Sequence, residues 1–367
     1  MNFKKLIFAG MLLVASNIKA DVAPISDKNI LDGLSPYNWV CKSDYVSSAI
    51  CGASLTVSFK DTKQVSLQVD TDHIQKATGS AANYPFIAWS VNGGPIQSHQ
   101  LAAGEKEILL TSNTVNPVIS LYIKGMSPFE DRYNGDVTST AVKITGFSVD
   151  KGGTTKAAAL PAGRWLNIGD SIMSGDLAAY KANQGRPGRR QSWAPGGDGQ
   201  ASYGYLLAKH YGYRESRIAT GGYNWGGGMA NMPNVATLID QKTSSVKRID
   251  GDKLKPAPDV VLVNLGENGV PDDATVIASL RKIRSRTGQK TSLILMIPIS
   301  GKGRAEITRA FNSYVGSDKD RGIHLIDLGQ VKFETVDGQH PTAAGHEVVF
   351  RAAVPFLDPI IKSKGGG

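Results

Sequence analysis

The sequence predicts an α/β chain of two domains, an antiparallel β-sandwich followed by a three-layer α/β/α domain with a parallel sheet. Between residues 21 and 151, apolar and polar residues alternate in short runs such as "ASLTVSFK", "QVSLQVD" and "VISLYIKG". This alternation is typical of strands with one buried face. After residue 164 the apolar runs become continuous, as in "DVVLVNLG" and "SLILMIPI", which favours parallel strands buried on both faces.

The sandwich is assigned to residues 21–151, where clusters of Gly, Asn, Asp and Pro separate the strands. Its other predicted strands are "PFIAWSV", "EILLTS" and "AVKITGFSVD". The segment "KGGTTKAAALPAG" has no periodic face, so residues 152–163 are predicted to form a linker.

The second domain, residues 164–367, alternates buried strands with helical stretches, which predicts right-handed βαβ units. Its other strands are expected in "WLNI", "SRIAT" and "IHLIDLG", and its helices in "SYGYLLAKHYG", "PDDATVIASLRKIRSR", "RAEITRAFNSYV" and "TAAGHEVVFRAAVPFL". In such sheets the active crevice lies beyond the carboxyl ends of the strands.

Residues 1–20 have the pattern of a secretory signal peptide, with Lys4 and Lys5 before an apolar centre and the small residue Ala20 at the end. No later run approaches the ~20 apolar residues that span a bilayer. A secreted or periplasmic protein without a membrane span is therefore predicted. In an oxidising compartment Cys41 and Cys51 can pair, and a disulfide is favoured over two free thiols or a metal site.

The formal net charge is +9, but the basic residues are scattered apart from "RPGRR" at 186–190. A nucleic-acid binder more often shows a basic stripe with interleaved aromatic residues, so no nucleic-acid partner is predicted.

The chain contains neither an H-E-x-x-H nor a G-x-x-x-x-G-K-[ST] motif, and no metal or other cofactor is predicted. No serine lies in a G-x-S-x-G frame, which argues against the α/β-hydrolase fold. The oligomeric state is left open.

Polar residues collect where the strands of the second domain end: "GDS" after the first, "TGGYNWGGG" after the second, "LGENG" after the third and "VDGQHPTAAGH" after the last. Ser171, His340 and Asp337 can supply a nucleophile, its base and the acid that orients the base. Each residue alone has an ordinary structural explanation, such as a helix N-cap for Ser171. Their coincidence on one rim predicts a catalytic site.

The same chemistry needs donors for an oxyanion. The amide of Ser171, an amide from the glycine-rich loop 221–228 and the side-chain NH₂ of Asn268 are candidates. Singly, Asn268 is as readily a turn former beside Gly269.

The order of a GDS motif, a glycine-rich turn, Gly-x-Asn and Asp-x-x-His-Pro resembles the SGNH (GDSL-type) hydrolases, from about residue 165 to the C-terminus. With the preceding sandwich, the whole chain resembles the two-domain carbohydrate esterases of family 2, whose first domain is a jelly roll. The resemblance implies Ser171 as nucleophile, His340 as base, Asp337 as orienting acid and Asn268 as an oxyanion donor.

The resemblance also implies a loop amide as a further oxyanion donor. Gly222 fits this position, while Asn224 or Gly226 fits under other alignments. The third motif reads "GENG" where the family has Gly-x-Asn-Asp, so Gly269 replaces the usual acid and Glu267 is a candidate for its supporting role.

The resemblance and the predicted signal peptide together predict the removal of O-acetyl groups from a polysaccharide. This polysaccharide is either a xylan or mannan or peptidoglycan. Trp193, Tyr223 and Trp225 lie in glycine-rich stretches beside the site and are predicted to stack on sugar rings. Packing of these loops against the domain is the alternative. An acetyltransferase of the same fold, a lipid or thioester hydrolase and a non-catalytic carbohydrate-binding protein are the rival functions.

Overall fold

The computed structural model describes residues 20–74, 81–138, 140–188, 192–229 and 231–362. The predicted signal peptide lies outside these residues except for Ala20. Within them, the predicted fold class is confirmed: two antiparallel sheets precede a parallel sheet flanked by helices. None of the helices described there is both long and apolar enough to cross a bilayer.

Two antiparallel sheets form the sandwich. Its strands are β1 (Asp21–Pro24), β2 (Val40–Cys41), β3 (Val46–Ser48), β4 (Ser54–Lys60), β5 (Val65–Val69), β6 (Phe86–Val91), β7 (Gln97–Gln100), β8 (Glu107–Thr111), β9 (Val118–Gly125), β10 (Val142–Val149) and β11 (Thr154–Lys156). One sheet has the order β2-β3-β10-β5-β8, with β1 also paired to β10, and the other has the order β11-β4-β9-β6-β7. Along β4 the buried residues Leu55, Val57 and Phe59 alternate with half-buried ones, so each sheet turns one face into a common core.

The prediction that residues 152–163 form only a linker is wrong in part. Strand β11 lies within this range and pairs with β4. Its side chains are exposed or half-buried. A short edge strand without a buried face carries no hydrophobic periodicity, which is why the sequence pattern did not reveal it.

The second domain has three layers. Its strands are β12 (Arg164–Gly169), β13 (Arg214–Ala219), the small hairpin β14 (Gln241–Thr243) and β15 (Val246–Lys247), then β16 (Val260–Asn264), β17 (Ser292–Met296) and β18 (Ile323–Ile326). A short helix α1 (Lys28–Gly33) belongs to the sandwich. The helices of the second domain are α2 (Ser171–Ser174), α3 (Trp193–Gly196), α4 (Tyr203–His210), α5 (Val235–Leu238), α6 (Asp273–Thr287), α7 (Arg304–Asp318) and α8 (Ala343–Lys362).

The parallel sheet has the order β13-β12-β16-β17-β18. Every residue of β16 is buried, with Val261 and Val263 facing a core shared with α6 and α7, and Val260 and Leu262 facing a core shared with α4 and α8. The chain leaves β12 towards β13 on one side and later returns to β16 on the other. The carboxyl end of β12 is therefore the topological switch point, where open α/β sheets bind ligands.

The sandwich also contributes to the second domain's interior. Tyr37 lies in the core that contains β16, and Tyr133, between β9 and β10, packs against it. The two domains therefore share buried surface.

The predicted disulfide is wrong in this structure, because Cys41 and Cys51 are both free thiols. Cys41 lies in β2 with an exposed side chain, and its thiol donates to the carbonyl oxygen of Trp39 at 3.8 Å. After β3 the chain turns towards the second domain, where a Cβ on Gly52 would lie 2.6 Å from the guanidinium carbon of Arg217. Cys51 is carried into this interface and buried, which raises the pKa of its thiol.

We expect Cys41 to be alkylated by iodoacetamide in the native protein without prior reduction, and Cys51 only after unfolding, because burial withholds the thiolate from the reagent. Mass spectrometry of native and guanidinium-unfolded samples measures both sites. Two cysteines that resist alkylation even when unfolded, until a reductant is added, would instead establish the disulfide.

Candidate active site

Ser171 sits on a sharp turn between β12 and α2. A Cβ on Gly169 would lie 2.3 Å from the Cβ of Met173, so only glycine lets the helical turn fold back this closely on the strand. Asp170 caps the turn, its Oδ1 accepting from the amide of Ile172 at 3.0 Å. Because Ser171 is the first helical residue, its own N–H has no acceptor within the helix.

The carboxyl group of Asp170, next to Ser171, is buried and has a raised pKa. Burial raises its pKa to about 8, and the carboxylates of Glu267 and Asp176 add to the effect. The protonated form is therefore favoured at neutral pH, and little negative charge lies directly beneath Ser171.

The structure brings Ser171, His340 and Asp337 together. The Nε2 atom of His340 lies 3.0 Å from Ser171 Oγ, and its Nδ1 lies 2.9 Å from Asp337 Oδ2. Asp337 Oδ1 also accepts from the His340 amide at 2.8 Å, which fixes the loop that carries both residues. A carboxylate at Nδ1 favours the tautomer whose Nε2 lone pair faces the serine hydroxyl. This arrangement can remove the hydroxyl proton during attack on a carbonyl.

Asp337 is held in its charged form. Burial raises its pKa, but hydrogen bonds from His340 and Arg186 outweigh burial and hold the pKa well below its usual range. The carboxylate therefore remains negative over the pH range in which an imidazole titrates.

Arg186 was not predicted as part of the site. Its Nε donates to Asp337 Oδ2 at 2.7 Å and its Nη2 to Gln339 Oε1 at 2.9 Å. The guanidinium group is half exposed. This contact spans 151 positions of sequence, so nothing in the local pattern "RPGRR" could reveal it.

We expect Arg186→Gln to move the acidic limb of the kcat/KM profile to higher pH, by less than about one unit because the guanidinium group is partly solvated. Removing its positive charge leaves the Asp337 carboxylate free to stabilise an imidazolium more strongly, so His340 keeps its proton to a higher pH. Profiles of the wild type, Arg186→Gln and the charge-preserving Arg186→Lys measure the effect. Superimposable profiles would show that Arg186 does not act on the site.

Hydrogen bonding within the glycine-rich loop shows which backbone amides are free to stabilise an oxyanion. The amide of Asn224 donates to Gly227 O at 2.9 Å, and that of Gly226 donates to Asn224 Oδ1 at 2.8 Å. Across the described ranges, no acceptor is recorded for the amide of Gly222. Gly222 has a φ of +68°, in the region that favours glycine. Of the three candidate amides in this loop, that of Gly222 is the one left without an acceptor among the described residues.

Asn268 is anchored on the neighbouring loop. Its Nδ2 donates to Tyr223 O at 3.1 Å, which leaves the second N–H of the amide available. Glu267 braces the same loop, since its carboxylate accepts from the Ser300 amide at 3.1 Å and from the Ser300 hydroxyl at 2.7 Å. Lys302 Nζ donates to Glu267 O at 2.9 Å. These contacts fit the supporting role that the sequence left to Glu267.

The prediction of exposed sugar-stacking aromatics is wrong for all three residues. Tyr223 and Trp225 are fully buried in the second domain's core, with Trp225 Nε1 donating to Leu265 O at 3.2 Å. Trp193 is 6% exposed and packs edge-on against His340, with ring centroids 6.2 Å apart. The glycine-rich stretches fold back onto the domain, and their aromatic side chains fill the space beneath them.

His346 lies near this rim on α8 and is fully buried. Burial lowers its pKa to about 3, so it is neutral at physiological pH. Its Nδ1 accepts from the Tyr203 amide at 3.3 Å, which ties α8 to the start of α4.

A buried serine, histidine and aspartate at the carboxyl ends of a parallel sheet place the protein in the class of α/β hydrolytic enzymes with a serine site. Residues 166–353 match the family model described as GDSL-like Lipase/Acylhydrolase. The chain belongs to this family, and it is an esterase. No curated protein matches the chain.

Solved structures share both domains and their order. A family two carbohydrate esterase from Cellvibrio japonicus has a TM-score of 0.74 at 17% identity, over 94% of this chain and 98% of that chain. An acetyl xylan esterase from the rumen bacterium Butyrivibrio proteoclasticus has a TM-score of 0.71 at 17% identity, over 94% and 99%. A family two carbohydrate esterase from Clostridium thermocellum, solved with cellohexaose, has a TM-score of 0.70 at 16% identity, over 90% and 98%. At these identities the likeness establishes the fold.

Proposed function

We propose that this protein is a secreted esterase that removes O-acetyl groups from a polysaccharide through an acyl-Ser171 intermediate. The observation that carries the proposal is the 3.0 Å approach of His340 Nε2 to Ser171 Oγ, with Asp337 on the opposite ring nitrogen. The likeness to carbohydrate esterases supports the substrate class, and the leader sequence supports export.

In the first half-reaction, Ser171 Oγ attacks the acetyl carbonyl carbon while its proton passes to His340 Nε2. The negative charge that forms on the carbonyl oxygen is stabilised by the amides of Ser171 and Gly222 and by Asn268 Nδ2. The tetrahedral intermediate collapses as the C–O bond to the sugar breaks. The sugar oxygen takes the proton from His340, and acetyl-Ser171 remains.

In the second half-reaction, water attacks the acetyl carbon of acetyl-Ser171 and gives a proton to His340 Nε2. The same donors stabilise the second oxyanion. Collapse breaks the bond to Ser171 Oγ, which recovers the proton, and acetate leaves. A sugar hydroxyl in place of water would make the same intermediate a transferase.

A cavity of about 440 Å³ opens beside the loop 337–340 and is large enough to hold a sugar ring. Its lining includes the half-buried ring of Phe333 and the polar side chains of Gln330, Lys332 and Gln339. An apolar surface with a few polar groups in a cavity of this size is typical of ligand sites. We propose that sugars bind in this cavity rather than on Trp193, Tyr223 and Trp225, which are buried.

The test is acetate release from 4-nitrophenyl acetate, acetylated xylan and O-acetylated peptidoglycan, with the wild type and Ser171→Ala side by side. We expect release that depends on Ser171, and the polymer with the higher kcat/KM identifies the substrate. A folded wild type that releases acetate from none of them would overturn the proposal. Acetyl transfer to an added glycan without acetate release would establish the transferase instead.

We expect Asn268→Ala to lower kcat by ~10²–10³ with little change in KM, because the amide contacts the oxyanion more strongly than the ground-state carbonyl. Steady-state kinetics on 4-nitrophenyl acetate measure both parameters. The matched control is Asn231→Ala, whose side chain donates to Asp131 Oδ2 at 2.7 Å. A loss below tenfold at Asn268 would count against the oxyanion role.

A further inference from the structure

A second cavity, here called the interdomain cavity, lies between the two domains. Its volume is about 450 Å³, close to the 440 Å³ of the cavity beside the loop 337–340, and the two cavities share no lining residue. Both volumes lie in the ~300–1,000 Å³ range of small-molecule sites. Its walls come from the sandwich sheet that contains β4, β9 and β6, from α4, from the start of β13 and from residues 160–161.

The interdomain cavity lies at the amino ends of the parallel strands. Arg214 and Glu215 begin β13 and line the cavity, whereas Ser171 follows the carboxyl end of the neighbouring strand β12. The six residues of β13 separate these two ends by roughly 17 Å. A ligand held within the interdomain cavity therefore does not contact Ser171.

One wall of the cavity is a row of small hydroxyl side chains. The strand register places Thr56 and Ser90 on either side of Ser120 across three adjacent strands, and all three residues line the cavity. Thr56 Oγ1 donates to Ser120 Oγ at 3.4 Å, and Ser90 Oγ has no recorded partner among the described residues. Because a hydroxyl both donates and accepts, this row matches the hydroxyl groups of a sugar.

Three tyrosine rings supply apolar surface for the C–H face of a sugar ring. Tyr122, Tyr205 and Tyr213 all line the cavity. The Tyr122 hydroxyl donates to Asp198 Oδ1 at 3.2 Å, and Tyr213 packs edge-on against Trp165 with ring centroids 5.9 Å apart, so both rings are held in place. Tyr205 is half-buried, and its hydroxyl has no recorded partner within the part of the chain that the structure describes.

Glu215 supplies a buried acceptor. Its side chain lines the cavity, and the residue is 7% exposed. Oε1 accepts from Asn167 Nδ2 at 2.9 Å and from Arg217 Nε at 2.8 Å. Oε2 has no recorded partner in the described ranges. Since a buried acceptor without a donor is costly, a hydroxyl group of a ligand would satisfy this oxygen.

The charges of the lining favour a neutral ligand. The Glu215 carboxylate is already paired with Arg217 at 2.8 Å, so the partner that Oε2 lacks is a neutral donor rather than a cation. Arg214 Nη2 donates to two backbone carbonyl oxygens. Lys209, the other cation of the lining, is exposed, and solvent screens its charge.

We propose that the interdomain cavity is a second, non-catalytic binding site for a neutral oligosaccharide, built jointly by the two domains. The hydroxyl row and Glu215 Oε2 bind sugar hydroxyl groups, and the tyrosine rings contact the C–H faces. Binding at this site goes beyond the proposed reaction and does not require it. The consequence that the enzyme is held on its polymer rests on the proposed function.

Amide chemical shifts of the ¹⁵N-labelled protein locate the bound sugar. The probes are xylohexaose, mannohexaose and chitohexaose, none of which carries an O-acetyl group, so the titration needs no turnover. We expect at least one of them to shift the amide signals of Ser90, Ser120 and Tyr205. Shifts confined to Ser171 and residues 337–340, or no shifts at about 10 mM of any probe, would overturn the proposal.

Substitutions on the sandwich test whether the cavity is the cause of binding. Ser120→Lys places a long side chain in the cavity and is expected to raise Kd about tenfold or more. The matched control is Ser58→Lys, because Ser58 is half-buried on the same outer face but does not line the cavity, and its Kd is expected to stay unchanged. A folded Ser120→Lys variant with the Kd of the wild type would contradict the proposal.

Tyr205→Phe provides a milder test that does not threaten the fold. It removes only the hydroxyl and is expected to raise Kd about three- to tenfold. If Ser120→Lys does not fold by Tm and circular dichroism, this variant decides alone, and an unchanged Kd would overturn the site.

Kinetics separate binding in the cavity from the reaction at Ser171. In Ser120→Lys we expect kcat and KM for 4-nitrophenyl acetate to be unchanged and KM for the acetylated polymer to rise. An unchanged KM for the polymer, in a variant that has lost oligosaccharide binding, would overturn the retention role. If the wild type releases no acetate, the shift titration still tests the cavity, so failure of the esterase proposal and failure of this one are told apart.

Discussion

Ser171→Ala is expected to lower kcat for ester hydrolysis by roughly 10⁵–10⁶-fold, the loss that accompanies removal of a serine nucleophile. The hydroxyl is the atom that forms the bond to the acetyl carbon, and no other hydroxyl is recorded as a partner of His340 Nε2 in the described residues. The site otherwise keeps its form, because the turn depends on Gly169 and the Asp170 cap. Turnover of 4-nitrophenyl acetate measures the loss, and Tm and circular dichroism measure the fold.

Ser174→Ala is the matched control. Ser174 lies one helical turn further along α2 and is equally buried. Its removal is expected to change kcat less than tenfold. A Ser171→Ala variant that keeps activity within tenfold of the wild type would exclude Ser171 as the nucleophile.

Asp337→Asn is expected to lower kcat by about 10⁴-fold while leaving the geometry of the loop intact. The amide can present an N–H to His340 Nδ1, which favours the tautomer whose proton sits on Nε2 and faces Ser171. Such a ring cannot accept the serine proton. The loss is measured in kcat at a pH above the acidic limb, so that protonation of the ring does not contribute.

Glu334→Gln neutralises an exposed carboxylate that precedes the same loop and bonds to Thr342 Oγ1 at 3.4 Å rather than to the histidine. It is expected to leave kcat nearly unchanged. If Asp337→Asn lost less than tenfold, another group would have to orient His340, and the assignment of Asp337 would be wrong.

Most of the fold follows from hydrophobic periodicity. The strands β4 and β16 are recognisable because burial on one face produces alternation and burial on both faces produces a continuous apolar run. The strands that sequence analysis missed include β7 and β11, whose residues are exposed or half-buried. A strand stabilised by backbone pairing at a sheet edge needs no apolar side chains.

Part of the candidate site could also be predicted from the sequence. Asp337 and His340 are three residues apart and Ser171 ends a strand, so chain order and topology suffice to bring them to one rim. The choice of Gly222 among the loop amides required the hydrogen bonds of the folded loop. Arg186 contacts Asp337 across 151 positions of sequence, and a contact at this separation leaves no pattern in the local sequence.

Exposure was the property that sequence predicted least well. Trp225 in a glycine-rich loop was predicted to stack on sugar rings, and Cys51 in a short turn was predicted to pair with Cys41. Both are buried because of what packs over them. In both cases the covering surface comes from a distant part of the chain, and the local composition is the same whether that surface is present or not.

The buried surface that the two domains share has a consequence for how such a protein can change over time. In modular enzymes an accessory domain can be exchanged or lost while the catalytic domain keeps its chemistry. Here Tyr37 lies in the catalytic domain's core and Tyr133 packs against that core, so an exchange at residue 163 would remove part of the core's packing along with the accessory domain. Successful recombination would have to carry Tyr37 and Tyr133 together with the second domain, so the unit of inheritance is the pair of domains.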